Sequence, residues 1–102
     1  MKCNPDPWPF DQPRNCVTFT TLQVINGAEE ILEAYHDSDD HGWQFFGVTG
    51  ASVEDCFLVA LEEIVSLDPT VLEVADLPPG WRAVRGSRTG PWTRSSWENG
   101  TV

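Results

Sequence analysis

Residues 31–48 constrain the fold of this chain more than any other stretch. Ile31-Leu32-Glu33-Ala34-Tyr35-His36 reads as one strand, and Trp43-Gln44-Phe45-Phe46-Gly47-Val48 reads as another. Between them lies Asp37-Ser38-Asp39-Asp40-His41-Gly42, which carries no apolar side chain. Asp and Ser favour turns, and Gly42 can take a positive φ if the turn needs one. Two strands joined by a short polar loop form most simply an antiparallel hairpin. The loop also gathers more charge beside more apolar surface than any other part of the chain, so it is the first place to look for chemistry.

The remaining elements follow from local pattern. Cys16-Val17-Thr18-Phe19-Thr20 alternates and is rich in β-branched and aromatic residues, which reads as a first strand. Thr21–Ile25 fits either a helical turn through Leu22 and Ile25 or a continuing strand through Leu22 and Val24. Asn26-Gly27 is a turn signal. Val53, Phe57, Ala60, Leu61 and Ile64 recur at helical spacing and predict a helix from about Val53 to Ser66, with Ser52 as its N-cap and Glu54 and Asp55 favouring its N-terminus. Asp68-Pro69 predicts a second, shorter helix to about Ala75 or Asp76. Leu77-Pro78-Pro79-Gly80 breaks it, and Trp81–Arg85 suits a final strand.

Pro5, Pro7, Pro9 and Pro13 exclude helix and central strand from the first fifteen residues. Trp8 and Phe10 would pin this segment across the domain as a strap. The expected fold is α+β: a small antiparallel sheet of three to four strands (16–20, 31–36, 43–48 and 81–85) with one main helix packed on one face and a second short helix. The expected organisation is a Pro-rich strap over 1–15, a single domain over 16–94 and a mobile tail over 95–102.

The chain has 102 residues, 40% of them hydrophobic, with five Trp and five Phe, enough for one core. Its net charge of −10 opposes binding to nucleic acid and to anionic membranes. Residues 1–80 hold 15 acidic side chains against Lys2 and Arg14, whereas residues 81–102 hold Arg82, Arg85, Arg88 and Arg94 against Glu98. The basic segment is expected to fold back on the acidic body through weak surface pairs. Cys3, Cys16 and Cys56 cannot all pair within one chain, no CxxC occurs, and no signal segment or membrane-length apolar run is visible. A reduced, cytoplasmic protein fits these features best.

Four readings compete for the acidic loop. His36, Asp37 and His41 offer first-shell atoms for a transition metal. Asp37, Asp39 and His41 before Gly42 imitate the start of a calcium loop, but Val48 stands where its bidentate Glu belongs. His36 beside Asp37 invites a base and its orienting carboxylate, yet no nucleophile signature accompanies them. A solvated corner is the plainest reading. The last is recognition: Asp37, Asp39, Asp40, His41 and Trp43 combine a repelling anionic cluster with an aromatic anchor, suited to a cationic partner. Trp92, Arg94 and Trp97 could stack single-stranded bases, but the overall charge opposes it.

Asp6-Pro7-Trp8-Pro9-Phe10-Asp11-Gln12-Pro13, His36-Asp37 with Asp39-Asp40 and Gly42-Trp43-Gln44-Phe45, Leu77-Pro78-Pro79-Gly80-Trp81 and Trp92-Thr93-Arg94 together resemble a set of small uncharacterised bacterial proteins. The Gly-Trp-Gln-Phe portion is also similar to a broader bacterial domain of unknown function, some members of which are proposed to be immunity proteins against polymorphic toxins. Neither resemblance supplies catalytic residues. The expectation is therefore a non-enzymatic, cytoplasmic, acidic protein-binding module without a cofactor, its partner a basic protein such as a toxin. The alternative is a metal-binding protein or metal-dependent enzyme built on His36, Asp37 and His41.

Overall fold

The computed structural model describes residues 8–50 and 54–96. Six strands form one mixed sheet: β1 (Val17–Thr21), β2 (Glu33–His36), β3 (Trp43–Phe46), β4 (Cys56–Ala60), β5 (Trp81–Val84) and β6 (Thr93–Ser96). Their order is β4-β1-β3-β2-β5-β6. β1 and β3 run parallel, and every other neighbouring pair is antiparallel. Three short helices accompany the sheet: α1 (Leu22–Ile25), α2 (Leu61–Leu67) and a 3₁₀ helix (Pro69–Val74).

This corrects the expected small antiparallel sheet with one main helix. The predicted helix over 53–66 divides at Ala60 into β4 and α2. Cys56–Ala60 instead pairs residue for residue with β1, from Val17 opposite Ala60 to Thr21 opposite Cys56. A short apolar run satisfies both periods, and here the cross-strand partner decides. Ser52 and Val53, the proposed start of that helix, lie outside the described residues. The second helix is a 3₁₀ turn, entered as expected through Asp68, whose carboxylate accepts the Thr70 N–H at 3.0 Å. β6 was not expected at all, and Ser95 and Ser96 belong to it rather than to a tail. Residues 1–7 of the strap and 97–102 of the tail also lie outside the described residues.

β3 ends at Phe46 because Gly47 is wedged against the preceding connection. A Cβ there would sit 2.7 Å from Glu29 Cβ and 2.9 Å from the Glu30 carbonyl oxygen, so no larger residue fits without a backbone shift.

Register assigns each side chain to a face. The inner face carries Thr18, Thr20, Ala34, His36, Trp43, Phe45 and Ala83, all buried. Leu61, Ile64 and Val65 of α2, Val71 and Val74 of the 3₁₀ helix, and Phe10 and Leu77 share one hydrophobic cluster with the apolar members of this face. The outer face carries Val17, Phe19 and Leu58, which are 59%, 43% and 60% exposed. β1 is thus inverted: Thr18 and Thr20 point in, and Val17 and Phe19 point out. Thr18 tolerates this because its hydroxyl donates to the Val59 carbonyl at 2.9 Å.

One buried cation joins the parts. Arg85, just after β5, donates through Nε and Nη2 to the Ile31 carbonyl at 3.0 and 2.9 Å. Nη2 also meets Asp68 Oδ2 at 2.8 Å, and Nη1 reaches Thr70 Oγ1 and the Arg88 carbonyl at 2.9 and 2.8 Å. The guanidinium lies 4.1 Å over the Trp92 ring. The basic segment does fold back on the acidic body, but Arg85 does so inside it. Arg94 makes the surface version, pairing with Asp76 at 2.7 Å, and its hydrogen bond holds the Asp76 carboxyl below the usual carboxylate range. That pair is largely solvated and contributes little.

Arg85→Ala should therefore cost about 3–5 kcal/mol, because it strands buried Asp68 Oδ2 and the Ile31 carbonyl, while Arg88 and Thr70 reach only Asp68 Oδ1. Arg85→Lys should recover only a minor part, since an ammonium lacks the planar fork that serves four acceptors. Urea denaturation followed by circular dichroism measures both; a loss below about 1 kcal/mol for the alanine variant contradicts this role.

Candidate functional site

The hairpin is formed as expected, with His36 opposite Trp43. Alternation along β2 sends His36 to the inner face and Asp37 to the outer one, so the two adjacent residues do not work together. His36 is 4% exposed and stacks on Trp43 at 4.1 Å and 12°. Its Nδ1 donates to the Leu77 carbonyl at 2.6 Å, where a catalytic dyad would require Asp37. Its Nε2 faces the Gln12 side-chain amide at 3.4 Å. Asp37 instead accepts from Gln44 Nε2 through both oxygens at 3.0 Å.

Gln12 is the polar hub of this end of the molecule. Its amide nitrogen donates to the His41 carbonyl at 2.9 Å, and its Oε1 accepts from Trp43 Nε1 at 2.8 Å. Its own carbonyl accepts from Trp8 Nε1 at 2.7 Å. Phe10 meets Trp43 edge-on at 5.1 Å. The described part of the Pro-rich segment thus seals the inner face over the hairpin, and Gln12 satisfies the buried indole N–H that a fully enclosed Trp43 would otherwise leave unpaired.

Trp43 is 1% exposed, so it presents no ring to a partner. The exposed part of the loop is Ser38, Asp39, Asp40 and His41. Asp40 Oδ1 accepts the Gly42 N–H at 2.8 Å, closing the turn. His41, not Gly42, takes the positive φ, at 60°. The His36 and His41 rings stand 6.2 Å apart between centroids. Asp37, directed to the other face, does not join them, and among the described residues no group of three or more His, Cys, Asp or Glu could hold a metal ion.

The parallel register of Phe19 with Gln44 sets the start of β1 beside the acidic loop. Asp40 and burial together raise the Cys16 thiol above its ordinary range, burial being the larger cause. The outer-face strip of Val17, Phe19 and Leu58 is carried by β4 and by this same β1, whose start lies beside the loop. Sequence reasoning missed this strip, because Val17 and Phe19 are the residues it would place in a core. The signal that could have found it is the run of alternating threonines, Thr18 and Thr20, whose methyl groups suit a buried pleat as well as a solvated one. The four arginines of residues 81–96 are engaged elsewhere: Arg85 and Arg88 at Asp68, Arg94 at Asp76, and Arg82 at Ser95.

No family profile, curated protein or solved structure matches the chain. Among the described residues no helix is long and apolar enough to cross a membrane.

Gln12→Ala should destabilise the protein by about 1–3 kcal/mol, because it strands the buried Trp43 indole N–H. Gln12→Glu keeps an acceptor for that N–H and should cost less. Thermal unfolding read by tryptophan fluorescence ranks the two; equal losses would show that the indole is not the group being satisfied.

Proposed function

We propose that this chain is a non-enzymatic, cytoplasmic binding module that captures a basic protein on its outer sheet face. The observation that carries this reading is the exposed strip of Val17, Phe19 and Leu58 on a sheet whose β1 starts beside the loop that bears the exposed Asp39 and Asp40. An apolar patch with a charged rim is the usual form of a protein-binding surface. The rim would steer a cationic partner in and the strip would hold it.

The binding surface drawn from sequence is kept at Asp39, Asp40 and His41. Asp37 lies at its edge through Gln44, and Trp43 leaves the surface to support the loop from below. A toxin neutralised by its immunity protein is the kind of basic partner that the sequence resemblance implies. Cys16 and Cys56 are both free thiols, which suits a reducing compartment. The metal-dependent alternative finds no support in the geometry, because the imidazole of His36 is spent between Leu77 and Gln12.

The test is a pull-down from the native cytoplasm at low salt, with the captured protein identified, purified and measured directly. A basic protein is expected, bound about tenfold more weakly by the Asp39→Asn/Asp40→Asn variant and weakened further as salt is raised. Failure to retain any basic protein, or equal binding by the variant, would refute the proposal.

A further inference from the structure

The two edges of the sheet are built differently. β6 is polar and carries Arg94, which is tied to Asp76 and to the Glu73 carbonyl. β4 at the other edge carries no charge and no proline, and its five-residue pairing with β1 runs without a bulge. Charge, proline and bulges are the devices that keep an edge from pairing with other chains, and β4 has none of them.

Its outward backbone groups can be identified. Leu22 N–H donates to the Asp55 carbonyl at 2.9 Å, and Leu61 N–H donates to the Cys16 carbonyl at 2.7 Å. Hydrogen-bonded and non-hydrogen-bonded pairs alternate along an antiparallel ladder. Phe57 and Val59 therefore bond to β1, whereas Cys56, Leu58 and Ala60 turn their N–H and C=O groups away from it. The side chains of those same residues lie on the outer face with Val17 and Phe19. Among the described residues, no strand pairs with this row of donors and acceptors, which runs along one apolar shelf.

We infer that β4 is a docking edge that receives one extended strand of the basic partner, apolar in its centre and basic at both ends; this rests on the function proposed above. Charge selects the occupant. Glu54 precedes β4 and Glu63 follows it, both exposed, while the strand between is neutral. A second copy of this chain is a poor fit: antiparallel pairing centred on Leu58 brings the end of β4 that Glu54 precedes toward the end that Glu62 and Glu63 follow in the other copy, between bodies of net charge −10. A strand with lysine or arginine flanks meets those carboxylates and adds main-chain bonds to the row.

The probe is a short blocked peptide of alternating threonine and valine with a lysine pair at each end. The free protein should sediment as a monomer in which the amides of Cys56, Leu58 and Ala60 exchange rapidly, and saturating peptide should slow them about tenfold or more. A peptide N-methylated along its bonding edge should not bind, glutamate flanks should weaken binding at least about tenfold, and Leu58→Lys should do the same without lowering the melting temperature. Amides already slow in the free monomer would mean that the chain covers its own edge, and a dimer with slow amides would mean that a second copy does. Either result overturns the inference, as does equal binding of the N-methylated peptide. If the Asp39- and Asp40-dependent basic partner binds while these amides remain fast, the docking edge fails and the proposed function stands. If no basic protein binds at all, both fall.

Discussion

The guanidinium of Arg85 is the interaction on which the arrangement of this small protein depends. It is 0% exposed in its side chain and converges on groups that the sequence keeps far apart: the carbonyl that precedes β2, the carboxylate joining α2 to the 3₁₀ helix, and the indole that precedes β6. A buried charge is tolerated only when its donors are satisfied, and here they are. The consequence is directional. The node fastens the helical segments to the inner face of the sheet and ties the last hairpin to them. With a chain this short, little remains to cover the outer face over β1 and β4.

That asymmetry relates the fold to the proposed function. Asp68 is paired inside and Asp76 at the rim, so Arg85, Arg88 and Arg94 are engaged by carboxylates other than those of Asp39 and Asp40. Asp39 and Asp40 are exposed on a loop beside the start of β1, the strand that carries Val17 and Phe19 of the apolar strip. The loop is held from beneath by Trp43, His36 and Gln12, and it projects its carboxylates from a rigid base. A preorganised surface gives up less freedom on binding than a mobile one.

Much of this was legible in the sequence where a local signal had one meaning. The polar interruption at 37–42 demanded a hairpin, Asp68-Pro69 demanded a capped turn, and Trp81–Val84 followed the Pro-Pro-Gly break as a strand. The sequence misled where a signal had two meanings. Phe57, Ala60, Leu61 and Ile64 satisfy helical spacing, yet only Leu61 and Ile64 lie in a helix, because β1 offered Cys56–Ala60 a partner that local pattern cannot reveal. The parallel contact of β1 with β3 and the short polar β6 are likewise set by tertiary pairing. Trp43 looked like an anchor because Trp often is one; its burial depends on Gln12, thirty-one residues earlier, supplying the acceptor for its N–H. Val17 and Phe19 are exposed because Thr18 and Thr20, which alternate with them, took the inner positions, a choice that composition does not display.

The inner face of the sheet is walled by helices, whereas the outer face is open at Val17, Phe19 and Leu58 of β1 and β4. Attenuation of side-chain resonances by a soluble paramagnetic agent, read on the isotope-labelled free protein, tests this asymmetry most directly. Val17, Phe19 and Leu58 should be strongly attenuated, while Trp43, Phe45 and Ile64 should be nearly untouched. Protection of Val17, Phe19 and Leu58 to the level of Phe45 would show that the outer face is covered, and the account would be wrong.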